Sequence, residues 1–151
     1  MQAEAGFDSV TTYMSGDHDR LDAILTDVNL RVDAGRMAEA RQAYREFDQG
    51  LTRHIRIEEE LLFPLFEART GVVAGPTAVM RAEHREIERA LGIMREGLEK
   101  GDPGAFREGL RFLREVLPDH NTKEEHVLYP TTDRFLSDPE RAAFVTRLRG
   151  E

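Results

Sequence analysis

The chain has 151 residues, no cysteine, and a net charge of −8 from 29 acidic against 21 basic side chains. Such a length supports one domain whose core needs no covalent staple, and the lack of cysteine excludes disulfides, zinc–thiolate and iron–sulfur ligation, and thiol catalysis. Acidic residues are spread along the chain, no basic patch argues for nucleic acid, no apolar run reaches the roughly 18 residues of a membrane span, and no signal-like N-terminus is seen; a cytoplasmic protein with no nucleic-acid or membrane partner is expected.

Every periodic stretch reads as helix. Residues 1–7 are expected to fray, and Asp8 or Ser9 to cap a first helix that runs to about Ala34 and stops at Gly35. Its apolar stripe is Met14, His18, Leu21, Leu25, Val28 and Val32, alternating by four and three as a bundle seam does. Gly16 weakens this helix locally. A second helix over residues 37–67 carries Ala40, Tyr44, Phe47, Leu51, His54 and Glu58. A loop at 70–75 leads to Pro76 in the first turn of a third helix, with Met80, His84, Ile87, Leu91, Met94 and Leu98 on its stripe. Asp102 caps and Pro103 starts a fourth, bearing Phe106, Leu110, Leu113, Leu117, His120 and Glu124. Pro118 should kink it just before His120, and Pro64 and Pro130 should bend or end their helices by freeing the carbonyls of Glu60 and His126. Ser137 to Glu140 is a capping-box start for a short last helix. There is no strand candidate. The fold class is all-α, an up-down-up-down four-helix bundle over residues 8–136 with a short extra C-terminal helix at 137–149.

The bundle looks duplicated. His54-x-x-x-Glu58-Glu59 returns 66 positions later as His120-x-x-x-Glu124-Glu125, each followed by an apolar run, an aromatic and a proline. The same offset lays Asp17-His18 on Glu83-His84 and Leu25 on Leu91, dividing the domain into halves at 8–70 and 76–136. On a helix, His at i and Glu at i+4 share one face. Six titratable groups in an apolar seam are costly to bury unless each finds a partner, and a metal centre serves four imidazoles and two carboxylates at once.

These residues are also expected to meet. In antiparallel neighbours, positions equidistant from a turn lie at one height. His18 and His54 are centred on position 36, His84 and His120 on 102, and His54 and His84 on 69, all at or beside predicted turns. Four histidines therefore share one layer, about 27 Å from the hairpin turns. Two carboxylates that bridge, with two histidines per metal, suit a dinuclear site. A six-coordinate metal then keeps about two positions, one for a bridging oxide, hydroxide or water and one for a small ligand.

The set His18, His54-x-x-x-Glu58, His84 and His120-x-x-x-Glu124, with the phrases Leu61-Leu62-Phe63-Pro64 and Leu128-Tyr129-Pro130, resembles the hemerythrin-like HHE cation-binding domain across about residues 8–136. The resemblance implies a four-helix bundle with two non-haem iron ions, carboxylate-bridged and with an oxo or hydroxo bridge. It implies metal ligation by His18, His54, Glu58, His84, His120 and Glu124. Oxygen carriers of that family have a second histidine where this chain has Glu88, and an aspartate five residues after the last histidine, where it has Glu124 at four. The resulting set of four histidines and two glutamates is closer to iron-centre repair proteins and to an iron-sensing ubiquitin-ligase domain. The repair proteins carry a cysteine-bearing module that this sequence lacks.

What the resemblance implies for function is a di-iron protein that binds O2, NO or H2O2 at an open iron position, for sensing, scavenging or storage. A peroxidase- or catalase-like enzyme, or a non-catalytic iron store or sensor, needs the same six ligands, so whether the chain is an enzyme stays open here. Among the neighbours, Glu59 and Glu125 are read mainly as solvated, with a place behind the ligands as the minor reading. Asp22 and Glu88 flank the seam, where they could hydrogen-bond a ligand imidazole or add an oxygen donor. His126, about 240° round from His120, is expected to be exposed. Tyr13 and Tyr129 are read as packing, and Met14, Met80 and Met94 as core filling, with Met14 and Met80, one turn from ligands, placed where they could line a pocket.

Overall fold

Ser9 opens the first helix, its Oγ accepting from Thr12 N at 2.9 Å. The computed structural model describes residues 9–150; the expectations for residues 1–7 and for Asp8 as a cap lie outside them. Helix α1 (Val10–Asp33) turns through Gly35, at φ 75°, into α2 (Met37–Ile57). A π-helical turn (Glu58–Leu62) links α2 to α3 (Phe63–Thr70). After residues 71–75 the pattern repeats as α4 (Pro76–Glu99), a turn at Gly101, α5 (Pro103–Lys123), a second π-helical turn (Glu124–Leu128) and α6 (Tyr129–Arg134). Helix α7 (Asp138–Arg149) follows, started by the capping box of Ser137 and Glu140. The fold is an all-α bundle with a short extra C-terminal helix, and no strand occurs among the described residues.

The expectation of unbroken second and fourth helices changes next to Pro64 and Pro130. The second and fourth helices are each interrupted by a π-turn, in which Phe63 N–H bonds Glu58 O and Tyr129 N–H bonds Glu124 O, five residues back. Pro64 and Pro130 sit just after these turns, in the first turn of α3 and α6, where a missing N–H costs little. Helix α5 runs through Pro118 from Pro103 to Lys123.

The apolar stripes form two clusters. One, at the hairpin-turn end, contains Leu21, Leu25, Phe47, Leu51, Ile87, Leu91, Leu113 and Leu117. The other, at the 71–75 end, contains Val10, Met14, Leu62, Phe63, Met80, Leu128 and Tyr129, and α7 covers it with Phe144, Val145 and Leu148. Each such side chain contributes about 1.5–3 kcal/mol when fully buried. The two hairpins differ in closeness: a Cβ on Gly109 would lie 2.8 Å from Met94 N, so α5 lies with its backbone against α4. Asp133 ties the ends together by accepting from Val10 N and Thr11 N of α1 at 2.8 and 3.0 Å. Between the two clusters runs one polar layer.

Candidate metal centre

That layer is made of His18 from α1, His54 from α2, Glu58 from the first π-turn, His84 from α4, His120 from α5 and Glu124 from the second π-turn. All six are buried, none more than 4% exposed. The structure brings the six sequence-predicted residues together. One donor atom each from His18, His54, Glu58 and Glu124 lie within 4.8 Å of one another, and so do those of Glu58, His84, His120 and Glu124. The two carboxylates are common to both sets. Hairpin partners stand side by side, with ring centroids 4.6 Å apart for His18 and His54 and 4.9 Å for His84 and His120.

Each imidazole is oriented by a carboxylate behind it. Nδ1 of His18 meets Glu125 at 2.6 Å, that of His54 meets Asp17 at 2.8 Å, that of His84 meets Glu59 at 2.7 Å, and that of His120 meets Glu83 at 2.9 Å. An Nδ1 proton given to a carboxylate leaves the Nε2 lone pair facing inward. Those Nε2 atoms face carboxylate oxygens: His18 to Glu124 Oε1 at 3.2 Å, His54 to Glu58 Oε2 at 3.4 Å, His84 to Glu58 Oε1 at 3.0 Å, and His120 to Glu124 Oε2 at 3.3 Å. Glu124 Oε2 is buried with no hydrogen-bond partner. Lone pairs that converge in a dry interior require positive charge between them, as metal ions or as protons. The spacing suits metal, because donors at adjacent corners of an octahedron with bonds of about 2.1 Å lie about 3.0 Å apart.

Without a cation the same charges would be met by protons. Burial alone would lower the His54 pKa, but the Glu58 carboxylate and the hydrogen bond with Asp17 outweigh it and raise it to about 10. His120 is likewise pulled down by burial and raised more strongly by Glu124, to about 9. Burial pushes Glu58 up, yet His54 and His84 hold it well below the usual carboxylate range. This donor set, four nitrogens and two carboxylates with pinned orientations, fits borderline or hard divalent metals such as iron.

Several expectations at the site are corrected. Tyr129 is not only packing: its Oη donates to the site at 2.5 Å from Glu58 Oε2 and 2.9 Å from Glu124 Oε1, and lies 3.3 Å from Nε2 of both His18 and His54. Burial and the two carboxylates push this phenol well above its ordinary pKa. Glu59 and Glu125 are not simply solvated, since each holds an imidazole. Asp22 and Glu88 make no hydrogen bond to a histidine; Asp22 is exposed and Glu88 pairs with Arg85 Nε at 3.0 Å. Asp17 and Glu83, each the residue before a histidine, make the imidazole contacts for which Asp22 and Glu88 were candidates. The available signal was their recurrence at an offset of 66, shared with Glu59 and Glu125. His126 is exposed. Met80 and Leu128, one turn from His84 and Glu124, floor an apolar cavity of about 200 Å³ that opens between Pro76, Val79, Lys123 and Val127.

Comparison with known proteins agrees with this geometry. The DNA nickase of Nostoc sp. (strain PCC 7120) is 26% identical over 136 residues, covering 88% of this chain and 36% of that protein. The iron–sulfur cluster repair protein YtfE of Escherichia coli O157:H7 is 32% identical over 89 residues, covering 53% of this chain and 40% of its own. The chain thus spans two fifths or less of the length of these curated relatives. No solved structure matches the chain significantly. No helix among the described residues is long and apolar enough to cross a membrane. The family profile described as the hemerythrin HHE cation-binding domain matches residues 9–132, and the chain belongs to that family.

Proposed function

We propose that the chain is a non-haem di-iron protein that binds a small diatomic or peroxide ligand, O2, NO or H2O2, for sensing, scavenging or storage in the cytoplasm. The observation that carries this reading is the inward convergence of four Nε2 atoms and two fully buried carboxylates, with Glu124 Oε2 left without a hydrogen bond. His18 and His54 would hold one ion and His84 and His120 the other, with Glu58 and Glu124 shared. Iron bound there supplies redox chemistry and an open position for an exogenous ligand. The chain supplies the rest. Asp17, Glu59, Glu83 and Glu125 fix the rings, and the apolar clusters on either side keep water out. The apolar cavity above Met80 and Leu128, about 200 Å³, suits a diatomic and is too small for an ordinary organic substrate. Similarity to a protein named for iron–sulfur cluster repair supports iron as the metal.

Stopped-flow absorbance of the anaerobically reduced, iron-loaded protein mixed with O2 or NO tests the reading. A new band that reverses on removal of the gas is expected. Rapid oxygen release from added peroxide would instead identify an enzyme, and loss of iron with no band at all would identify a store.

A further inference from the structure

The two halves supply matched donors, but one residue pair breaks the match. Tyr129 and Phe63 lie 66 positions apart and each follows a π-turn. Phe63 stacks on His84 at 5.6 Å with 15° between the rings, and has no hydroxyl to offer. Tyr129 Oη is within 3.3 Å of a donor atom on all four members of one set, His18, His54, Glu58 and Glu124. It makes no hydrogen bond to His84 or His120. An oxygen surrounded by the donors of one metal position stands in or beside that position.

We propose that Tyr129 Oη is a fifth protein donor to the metal held by His18, His54, Glu58 and Glu124, so that the open position belongs to the metal held by His84 and His120. This rests on the two-metal reading above. On ligation the phenol O–H bond breaks, the oxygen keeps the electron pair and shares it with the metal, and the proton leaves to solvent with those displaced from the histidines. No electron is transferred. A hard anionic oxygen favours the ferric state of its own metal, which leaves the other as the ligand-binding partner. The apolar cavity agrees, since its floor residue Met80 lies one helical turn before His84 on the same helix.

The experiment is visible absorption and resonance Raman spectroscopy of the oxidised, iron-loaded chain beside its elemental iron content. The wild type is expected to show a phenolate-to-iron(III) charge-transfer band whose Raman modes include tyrosine ring vibrations, shifted when the tyrosines are ring-deuterated. Only three tyrosines are present. Tyr44 donates to Leu91 O at 2.7 Å and Tyr13 lies beneath Arg149, so a ligated ring is Tyr129. Tyr129→Phe is expected to keep the iron and lose the band. Should that variant fail to fold, the isotope shift in the wild type decides alone. Wild type with two irons and no such band, or a Tyr129→Phe that keeps it, overturns the assignment while leaving the two-metal reading intact. Wild type that takes up no iron overturns both.

Discussion

The first half of the bundle and the second place the same groups at the same depth by the same means. Asp17 holds His54 and Glu83 holds His120, each within its own half. Glu59 reaches across to His84, and Glu125 across to His18. Among the departures from this two-fold pattern are the hydroxyl of Tyr129 against Phe63, and the glycine contact that draws α5 onto α4 where the first half has Ala43 at the position of Gly109. A duplicated scaffold can supply a symmetric pair of metal positions. What makes the two positions chemically different has to come from residues at the site that do not match.

The largest effect should come from the groups that serve both halves. Glu58→Ala or Glu124→Ala removes a carboxylate common to both donor sets, and elemental analysis should find neither metal retained. His54→Ala or His120→Ala removes a donor from one set, and should retain about half the wild-type metal. Equal metal content in Glu124→Ala, His54→Ala and Glu59→Ala would contradict the division.

Stripping the metal should expose the protons that take its place. His54 at about 10 and His120 at about 9 are raised above the ordinary imidazole value. Their stabilisation is therefore complete below about pH 6.5, shrinks as the pH rises, and is gone above about pH 10. Glu58 is depressed, so its contribution is present above its ordinary value and is lost as the pH falls through the depressed one. Urea midpoints of the stripped protein should fall steadily from pH 6 toward pH 9. The loaded protein, whose histidines stay neutral, should change much less over the same range.

Next in size are the carboxylates behind the rings. Glu59→Gln and Glu125→Gln should each weaken metal binding by about 10- to 100-fold. The two-fold pattern predicts similar losses for the pair. A loss confined to one of them, measured by competition with a chelator, would show that the halves are not equivalent even where their sequences match. Gly109→Ala should then destabilise the fold by about 1–3 kcal/mol in denaturant unfolding, because its Cβ meets backbone atoms of α4. Smallest of all, Asp22→Asn and Glu88→Gln should leave metal content unchanged.

The sequence made the helices, the caps at Ser9, Asp102 and Ser137, and the common depth of His18, His54, His84 and His120 legible, because hydrophobic spacing and turn positions are local or arithmetic properties. It did not make the π-turns legible. Along an α-helix the fifth residue after Glu58 or Glu124 turns about 140° away from that face. A π-turn, bonding five residues back, returns it nearly to the same face. Phe63 and Tyr129 therefore point at the site instead of away from it, and the trace left in the sequence was a proline one residue later in each half. Glu59 and Glu125 were misjudged for a related reason. A position about 100° from the ligand face meets the neighbouring helix in a four-helix bundle, and there a histidine was waiting.

Crystals of the iron-loaded chain, measured on either side of the iron absorption edge, test the central claim most directly. Two anomalous peaks are predicted, both flanked by Glu58 and Glu124, one against His18 and His54 and the other against His84 and His120. A single peak, or peaks away from this layer in protein shown by elemental analysis to hold two irons, would contradict it.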